Sequence, residues 1–410
     1  MKFFDGIYRP DAKVGRYLVV LALSGIAYGL YRGIQDNYLA EIVHISAFER
    51  GIVEFFRETP GLLVVFILAL MYRFSDSRIF KIGSALMAAG LVGLLLSSVS
   101  FMGVKFVVVI FMVLFSTGEH IIMPVRTTIC LDMAKREKAG AALGITGAIG
   151  QVGNIAGFVI VTGLFFVFSR LGHSRTDIVQ FRIIFAVSTA LMTAAVMVSL
   201  ALKETTLKSQ RRRFYFAKKF SKYYMLEVFY GARKQIFITF APYVLILQYG
   251  ADTSIIALLL GICAFFGFFL NPLVGRIIDR LGYKVVMVSD TLILIIVCLL
   301  YGFSHRIFPQ NVAFMVVCAN YVLDSIISMA SMATNIYVQR IASSQEEITA
   351  TLSTGISVNH VISIFIALMG GWIWQVTGIE VLFSLSAFLG LLNSIFAATI
   401  NKNEESAAQP

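Results

Sequence analysis

Twelve separate runs of apolar residues, each at least as long as a lipid bilayer is thick, divide this sequence from end to end. They fall at about 15–37, 50–72, 80–100, 105–130, 140–168, 182–202, 223–248, 254–274, 283–303, 310–337, 350–376 and 380–400. A helix needs roughly 20 apolar residues to cross the hydrocarbon core. Inside that core every backbone polar group must be bonded within the structure, so runs of this length span as helices. Composition removes the soluble alternative. Only 14% of residues are charged and 58% are hydrophobic, with a mean hydropathy of +0.83, whereas a soluble domain carries about 25% charged residues. The expected fold class is an all-α polytopic membrane protein with twelve transmembrane helices. The first run is too long for a removable signal peptide and lacks a small-residue cleavage site, so it reads as a retained helix.

The net charge of +11 does not point to nucleic acid, because the cations sit in the loops between runs. Of the 34 Lys and Arg, 23 fall on the side of the N-terminus and six on the opposite side. The remaining five are Arg32, Arg57, Arg126, Arg233 and Lys234, inside apolar runs. Lys and Arg mark the cytoplasmic side of a membrane protein, so a plasma (inner) membrane protein with both termini in the cytoplasm is expected. The loop at 169–182, with Arg170, Arg175 and Arg182, departs from that bias. The stretch 203–222 holds eight cations and one acid, Glu204. It reads as a basic linker lying on the anionic inner leaflet, or as a regulatory or partner-binding segment.

Cys130, Cys263, Cys298 and Cys318 lie in or beside apolar runs with no CxxC spacing and no His cluster, so neither a metal site nor a disulfide framework is expected. No HExxH, no GxSxG and no cofactor fingerprint is present. An enzyme is therefore not expected, and no cofactor is.

Six runs, a basic linker and six more runs suggest an internal repeat. Tyr28, Gly29 and Arg32 match Tyr230, Gly231 and Lys234 at an offset of 202 residues. Arg73, Asp76 and Lys81 match Arg276, Asp279 and Lys284 at 203, and Leu143, Gly147 and Gln151 match Leu352, Ile356 and His360 at 209. The expected organisation is two pseudo-symmetric six-helix bundles, residues 1–202 and 223–400, joined by 203–222 and followed by a tail at 401–410. Parallel halves of this kind are a transporter architecture, with the substrate site near the midplane.

The segment Gly275 to Lys284 reads G-R-I-I-D-R-L-G-Y-K. It resembles the G-x-x-x-D-R-x-G-R/K-R/K loop of the major facilitator superfamily, at the place where that family repeats it. The first copy, Tyr72 to Lys81, keeps Arg73, Asp76 and Arg78 without the glycines. The resemblance covers the whole chain. It implies a rocking-bundle transporter in which Arg73, Asp76, Arg276, Asp279 and Arg280 form a latch, made in one state and broken in the other. The alternative is a plain topological anchor.

Ionisable residues inside a membrane are expensive and mark function by default. Runs three, six, nine and twelve contain almost none, with Asp290 the exception; in the family these four are the outer supports. Run one carries Tyr28, Arg32, Gln35 and Asp36 on one helical face, and run seven carries Glu227, Tyr230 and Lys234 on another. Arg233 points about a third of a turn away. Arg32 stands 16 residues past Arg16 and Lys234 stands 12 past Lys222, or ~24 Å and ~18 Å along a helix. The two cations are expected to face a central cavity and bind an anionic group, with Arg32 bidentate and Lys234 a point charge. A permanent internal salt-bridge set is the other reading. The pair also resembles the organophosphate/phosphate antiporter branch, where basic residues on helices one and seven hold phosphate. Here the helix-seven cation is Lys rather than Arg, and the helix-five His is replaced by Gln151, with His360 at the repeat-related position.

Glu119, Asp324, Asp36 and Glu227 are the candidate proton carriers, since a carboxylate in an apolar cavity binds a proton more readily. A permanent Glu119–Arg126 pair competes with that for Glu119, and Arg126 is counted with the gating residues. Glu54, Arg57 and Glu58 have the spacing of an ion-pair network and are expected at an outer gate. Gln151, Asn154, Asn359 and His360 supply hydrogen bonds to a ligand or a neighbouring helix. The glycine row of run five, from Gly140 to Gly157, reads as close helix packing or a hinge. The expected function is a monomeric secondary active transporter for a small organic anion, phosphorylated compounds included, coupled to protons or a counter-anion. A proton-coupled drug exporter is the first alternative. A non-transporting sensor or scaffold on a transporter fold is the second.

Overall fold

The computed structural model describes residues 6–9, 14–97, 104–204 and 215–400, and among them the regular elements are helices. Residues 205–214 of the linker and the tail at 401–410 lie outside the described residues. In chain order the long helices are α1 (Val14–Ile42), α2 (Ala47–Leu70), α3 (Asp76–Ser97), α4 (Val104–Met133), α5 (Ala139–Arg170) and α6 (Ile178–Leu200). Then come α7 (Ser221–Tyr249), α8 (Thr253–Leu281), α9 (Tyr283–Ile307), α10 (Gln310–Ile341), α11 (Gln345–Thr377) and α12 (Ile379–Ala398). Each coincides with one of the twelve apolar runs. Ten are long and apolar enough to cross a membrane; the other two, α2 and α7, carry the charge clusters described below. The last turn of α1 is π-helical (Tyr38–Ile42), and α10 contains a 3-10 turn at Met329–Ser331.

Local chemistry sets the ends. Asp177 caps α6 by accepting from the Val179 N–H at 3.0 Å, and Ser344 caps α11 by accepting from the Glu347 N–H at 3.2 Å. Gly250, with φ of 69°, closes α7 in the left-handed conformation that only glycine adopts without strain.

The packing repeats. In the first half α1 lies against α5 and α6, and α3 against α4 and α6. In the second half α7 lies against α11 and α12, and α9 against α10 and α12. Small residues allow the α1–α5 contact: a side chain at Gly29 would stand 2.3 Å from the Asn154 carbonyl oxygen. Gly153 and Gly157 serve that contact from α5, whereas Gly140, Gly144, Gly147 and Gly150 face open space. The glycine row therefore divides into a packing part and an open part.

The described chain forms two compact units: Met1–His44, Thr59–Arg211 and Asp252–Ala264 in one, and Ile45–Glu58, Arg212–Ala251 and Phe265–Pro410 in the other. Two helices therefore change unit part-way along. The first part of α2 packs on α11, where a side chain at Gly51 would stand 2.4 Å from the Ala367 carbonyl oxygen. The first part of α8 packs on α5, where the Ser254 and Thr162 hydroxyls approach each other's carbonyl oxygens at 3.3 and 3.4 Å. The α2 crossover falls beside Pro60, which cannot donate to the helix ladder.

Four basic side chains cap helix ends in a repeated arrangement. Past the end of α6, Arg16 donates to the Ala201 carbonyl at 3.1 Å and Lys81 to the Leu202 carbonyl at 3.0 Å. Past the end of α12, Lys222 donates to the Thr399 carbonyl at 3.2 Å and Lys284 to the Ile400 carbonyl at 2.7 Å. Cations at helix C-termini satisfy orphan carbonyls and oppose the negative end of the macrodipole. Next to Lys81, Glu204 accepts from Ser75 and from Arg78 at 3.2 Å, and these partners hold its carboxyl below the usual carboxylate range. A depressed carboxylate contributes stability above its unfolded pKa and loses it as pH falls, so this docking loosens on acidification. Lys81→Met and Lys284→Met are each expected to cost about 0.3–1 kcal/mol. Similar small drops in the thermal unfolding midpoint would support equivalent caps, and no shift in either variant would contradict them.

Candidate functional site

A cavity of about 290 Å³ lies within the N-terminal unit, between α1, α3, α4, α5 and α6. Five residues singled out by the sequence line it: Tyr28, Glu119, Arg126, Gln151 and Asn154. Their spacing explains the convergence. Glu119 and Arg126 lie seven residues apart on α4, two helical turns along one face. Gln151 and Asn154 share a face of α5 with Gly147 and Gly150, whose missing side chains leave the space open. Ser24 and Ser84 add hydroxyls, and Met87, Met123 and Met192 add soft apolar surface. These five were not expected, because isolated Ser and Met in an apolar run carry no signal.

The charges in this cavity are available. Neither the Arg126 guanidinium nor the Glu119 carboxylate makes a hydrogen bond or ion pair among the described residues, so the two do not form a closed pair. Gln151 donates to the Ala264 carbonyl at 3.2 Å and keeps its amide oxygen for other use. Tyr28 stacks on Phe115 with centroids 6.2 Å apart.

Arg32 stands one turn beyond Tyr28 on α1 and donates to the Gln35 side chain at 2.7 Å. Asp36 is fully buried. At the end of α1, Glu41 accepts from Asn37 at 3.0 Å and pairs with Arg175 at 3.1 Å. This accounts for part of the Arg-rich loop at 169–182: Arg175 neutralises an acid that the π-helical turn presents to it.

In the C-terminal unit, Lys234 lies 5.9 Å from the Tyr230 ring centroid and acts electrostatically on Glu227. Glu227 accepts from Asn359 at 3.2 Å and lies 3.5 Å from the Thr334 hydroxyl. Tyr230 donates to the Ser328 carbonyl at 3.4 Å. Asp324 accepts from Arg233 at 2.6 Å, and Arg233 is buried. The cation a third of a turn from Lys234 thus takes one of the four carboxylates expected to carry protons.

Glu54, Arg57 and Glu58 do form an ion-pair network, and it is larger than their spacing alone indicates. The fully buried Glu54 accepts from Arg50 at 2.7 Å and from Arg57 at 2.9 and 2.6 Å, while Arg57 also binds Glu58. Gln235 of α7 donates to Glu54 at 3.1 Å and to Thr239 at 2.7 Å. His360 of α11 meets Glu58 at 3.0 Å, so it is engaged by α2 rather than by open space. Arg50 also lies over the Tyr243 ring at 5.5 Å. Arg50 opens the second apolar run, and its i,i+4 spacing to Glu54 is the sequence signal for its part in the network. Two arginines and two glutamates make the cluster neutral without His360.

The sequence profile of the Major Facilitator Superfamily matches residues 17–225 and again residues 223–409. The chain belongs to the Major Facilitator Superfamily. Solved structures with the same fold include the xylose transporter XylE from E. coli in an inward-open conformation, with a TM-score of 0.71 at 12% identity, covering 96% of this chain and 99% of that one. The nucleoside transporter NupG gives 0.71 at 12%, covering 94% and 99%. A POT family transporter in complex with 5-aminolevulinic acid gives 0.70 at 12%, covering 94% of each chain. At that identity the likeness shows the fold. No curated protein matches the sequence. This superfamily member is a membrane transporter of small molecules, not an enzyme.

Its loop residues are placed unevenly. Asp76 is buried at the start of α3, while Arg73 turns outward and donates to Tyr72 at 3.0 Å. Arg276, Asp279 and Arg280 are all exposed at the end of α8. What the two copies share is the lysine that follows, Lys81 and Lys284, each capping a helix.

Removing one partner of a buried ion network leaves uncompensated charge. Glu54→Ala, which strands Arg50 and Arg57, is expected to cost about 3–5 kcal/mol, and Gln235→Leu about 1–3 kcal/mol. Thermal unfolding of the purified variants checks this; a wild-type midpoint for Glu54→Ala would show that the network is dispensable.

Proposed function

We propose that this protein is a secondary active transporter that carries a small organic anion across the plasma (inner) membrane by alternating access, acting as a monomer with both termini in the cytoplasm. The observation that carries this reading is Arg126: a guanidinium lining a cavity of about 290 Å³ with no carboxylate bonded to it among the described residues. That volume is near the lower end of small-molecule sites, about 300–1,000 Å³. A guanidinium presents a planar fork of donors that matches a carboxylate. Gln151, Asn154, Tyr28 and Ser84 offer the hydrogen bonds that orient the remainder of the ligand.

Glu119 in the same cavity refines the class. With Arg126 charged and Glu119 ionised the site is neutral, which disfavours a doubly charged phosphate monoester and favours a monoanion. Arg32 and Lys234 are assigned to drawing the anion in, since both already have partners. Coupling is to protons or a counter-anion, and Glu119 is the one candidate carrier that lines this cavity.

The test is uptake of labelled lactate and gluconate into proteoliposomes. Arg126→Ala is expected to raise KM by about 10- to 100-fold, the equivalent of losing one charge-assisted hydrogen bond. Arg126→Lys should recover only part of it, and Glu119→Gln should lower KM for anions. Unchanged anion uptake in Arg126→Ala, together with Glu119-dependent transport of a lipophilic cation, would favour the drug exporter instead.

A further inference from the structure

One ionisable cluster in the C-terminal unit has no role in the reading above. Arg233 on α7 binds Asp324 on α10 at 2.6 Å and lies 5.4 Å from the Tyr230 ring centroid. A void of about 20 Å³ beside it is lined by Tyr230, Arg233, Asp290, Thr291 and Asn393 among others. One water needs about 10–15 Å³ of such space.

Charge in this cluster does not balance if every acid is ionised. Arg233 and Asp324 already cancel, so an ionised Asp290 adds a carboxylate for which the void offers no second cation among the described residues. The titratable groups around Asp290 are Arg233 and Tyr230 from α7 and, bound to that arginine, Asp324 from α10; Cys298, two turns further along α9, acts on Arg233 and Asp324. From α12 comes only the amide of Asn393. An unpaired buried charge is expensive in this setting.

Hydrogen bonding is short by one donor. Oδ1 of Asn393 is buried and has no donor among the described residues. The Thr291 hydroxyl lies 3.2 Å from Oδ1 of Asp290 and 3.3 Å from the Met287 carbonyl oxygen, and it has one proton for the two. A protonated carboxyl supplies the missing donor and removes the excess charge in one step. A metal ion fits less well, because it would sit beside a guanidinium with few oxygens to hold it.

We propose that Asp290 is a proton-binding site. It stands as a neutral acid whose O–H is directed into the void, toward the Asn393 amide oxygen or one intervening water. When the proton leaves to that water, the new carboxylate competes with Asp324 for Arg233. The use of this proton as the coupling ion rests on the transporter reading above; the protonation of Asp290 does not.

Infrared spectroscopy of the purified protein in nanodiscs tests the site itself. The wild type should show the carbonyl band of a partly buried, protonated carboxyl, strengthening as the pH is lowered. That band should shift in Asp290→Glu and in Asn393→Leu, and its intensity should fall in Asp290→Asn. An identical band in wild type and Asp290→Asn overturns the proposal, and the Asp290→Glu and Asn393→Leu shifts decide it if Asp290→Asn does not fold. In proteoliposomes with labelled lactate or gluconate, a pH gradient of one unit should drive about ten-fold accumulation by the wild type. Asp290→Asn should keep exchange of labelled for unlabelled anion and lose that accumulation. If Arg126→Ala abolishes uptake while Asp290→Asn still accumulates, the transporter reading stands and the coupling role of Asp290 falls. If neither anion is carried, the infrared result still decides whether Asp290 holds a proton.

Discussion

The cost of an unpaired charge in a hydrocarbon-like interior organises this structure more than any single contact. A chain with 14% charged residues places most of them at helix ends and loops, and each one retained inside must be paired, neutralised or used. Glu54 shows the first outcome: two arginines and an amide surround it, leaving its carboxylate fully buried. Arg233 and Asp324 show it again in the C-terminal unit. Against that background, the Arg126 guanidinium and the Glu119 carboxylate, which make no hydrogen bond or ion pair among the described residues, stand out because both line a cavity large enough for a ligand.

The same constraint separates scaffold from site along the sequence. Helices α6 and α12 carry the capped ends on which basic side chains of neighbouring helices settle. Helices α1, α4 and α5 bring polar groups to one shared space. The repeat reinforces this division. Lys81 and Lys284 perform the same capping in the two halves, while the polar groups between them have diverged: Gln151 opens onto a cavity, and its counterpart His360 is bonded to Glu58. The capping contacts persist at repeat-related positions where the cavity-lining ones do not.

Much of this was legible in the sequence because membrane helices are written in long hydropathy signals. The twelve helices and the two-fold repeat followed from run length and periodicity, and Tyr28, Glu119, Arg126, Gln151 and Asn154 could be singled out one by one, but only helix packing brings these five to one cavity. Partner choice was not legible. Periodicity puts Lys234 and Glu227 on one face and leaves Arg233 aside, yet only the packing of α7 on α10 gives Arg233 to Asp324. Arg50 stands at the first position of its apolar run, while the helix begins three residues before it and its i,i+4 spacing brings it to Glu54. The pairing of Glu41 with Arg175 joins residues 134 positions apart, which no local pattern encodes.

The most direct measurement of the central claim uses the unmodified protein. Wild-type proteoliposomes presented in turn with labelled lactate, gluconate, glucose, glycerol phosphate and tetraphenylphosphonium report which class of solute the protein moves. The account predicts retained label for the monoanions and weaker uptake of the phosphate ester. Transport confined to glucose or to tetraphenylphosphonium, or binding of an anion that never crosses, would contradict it.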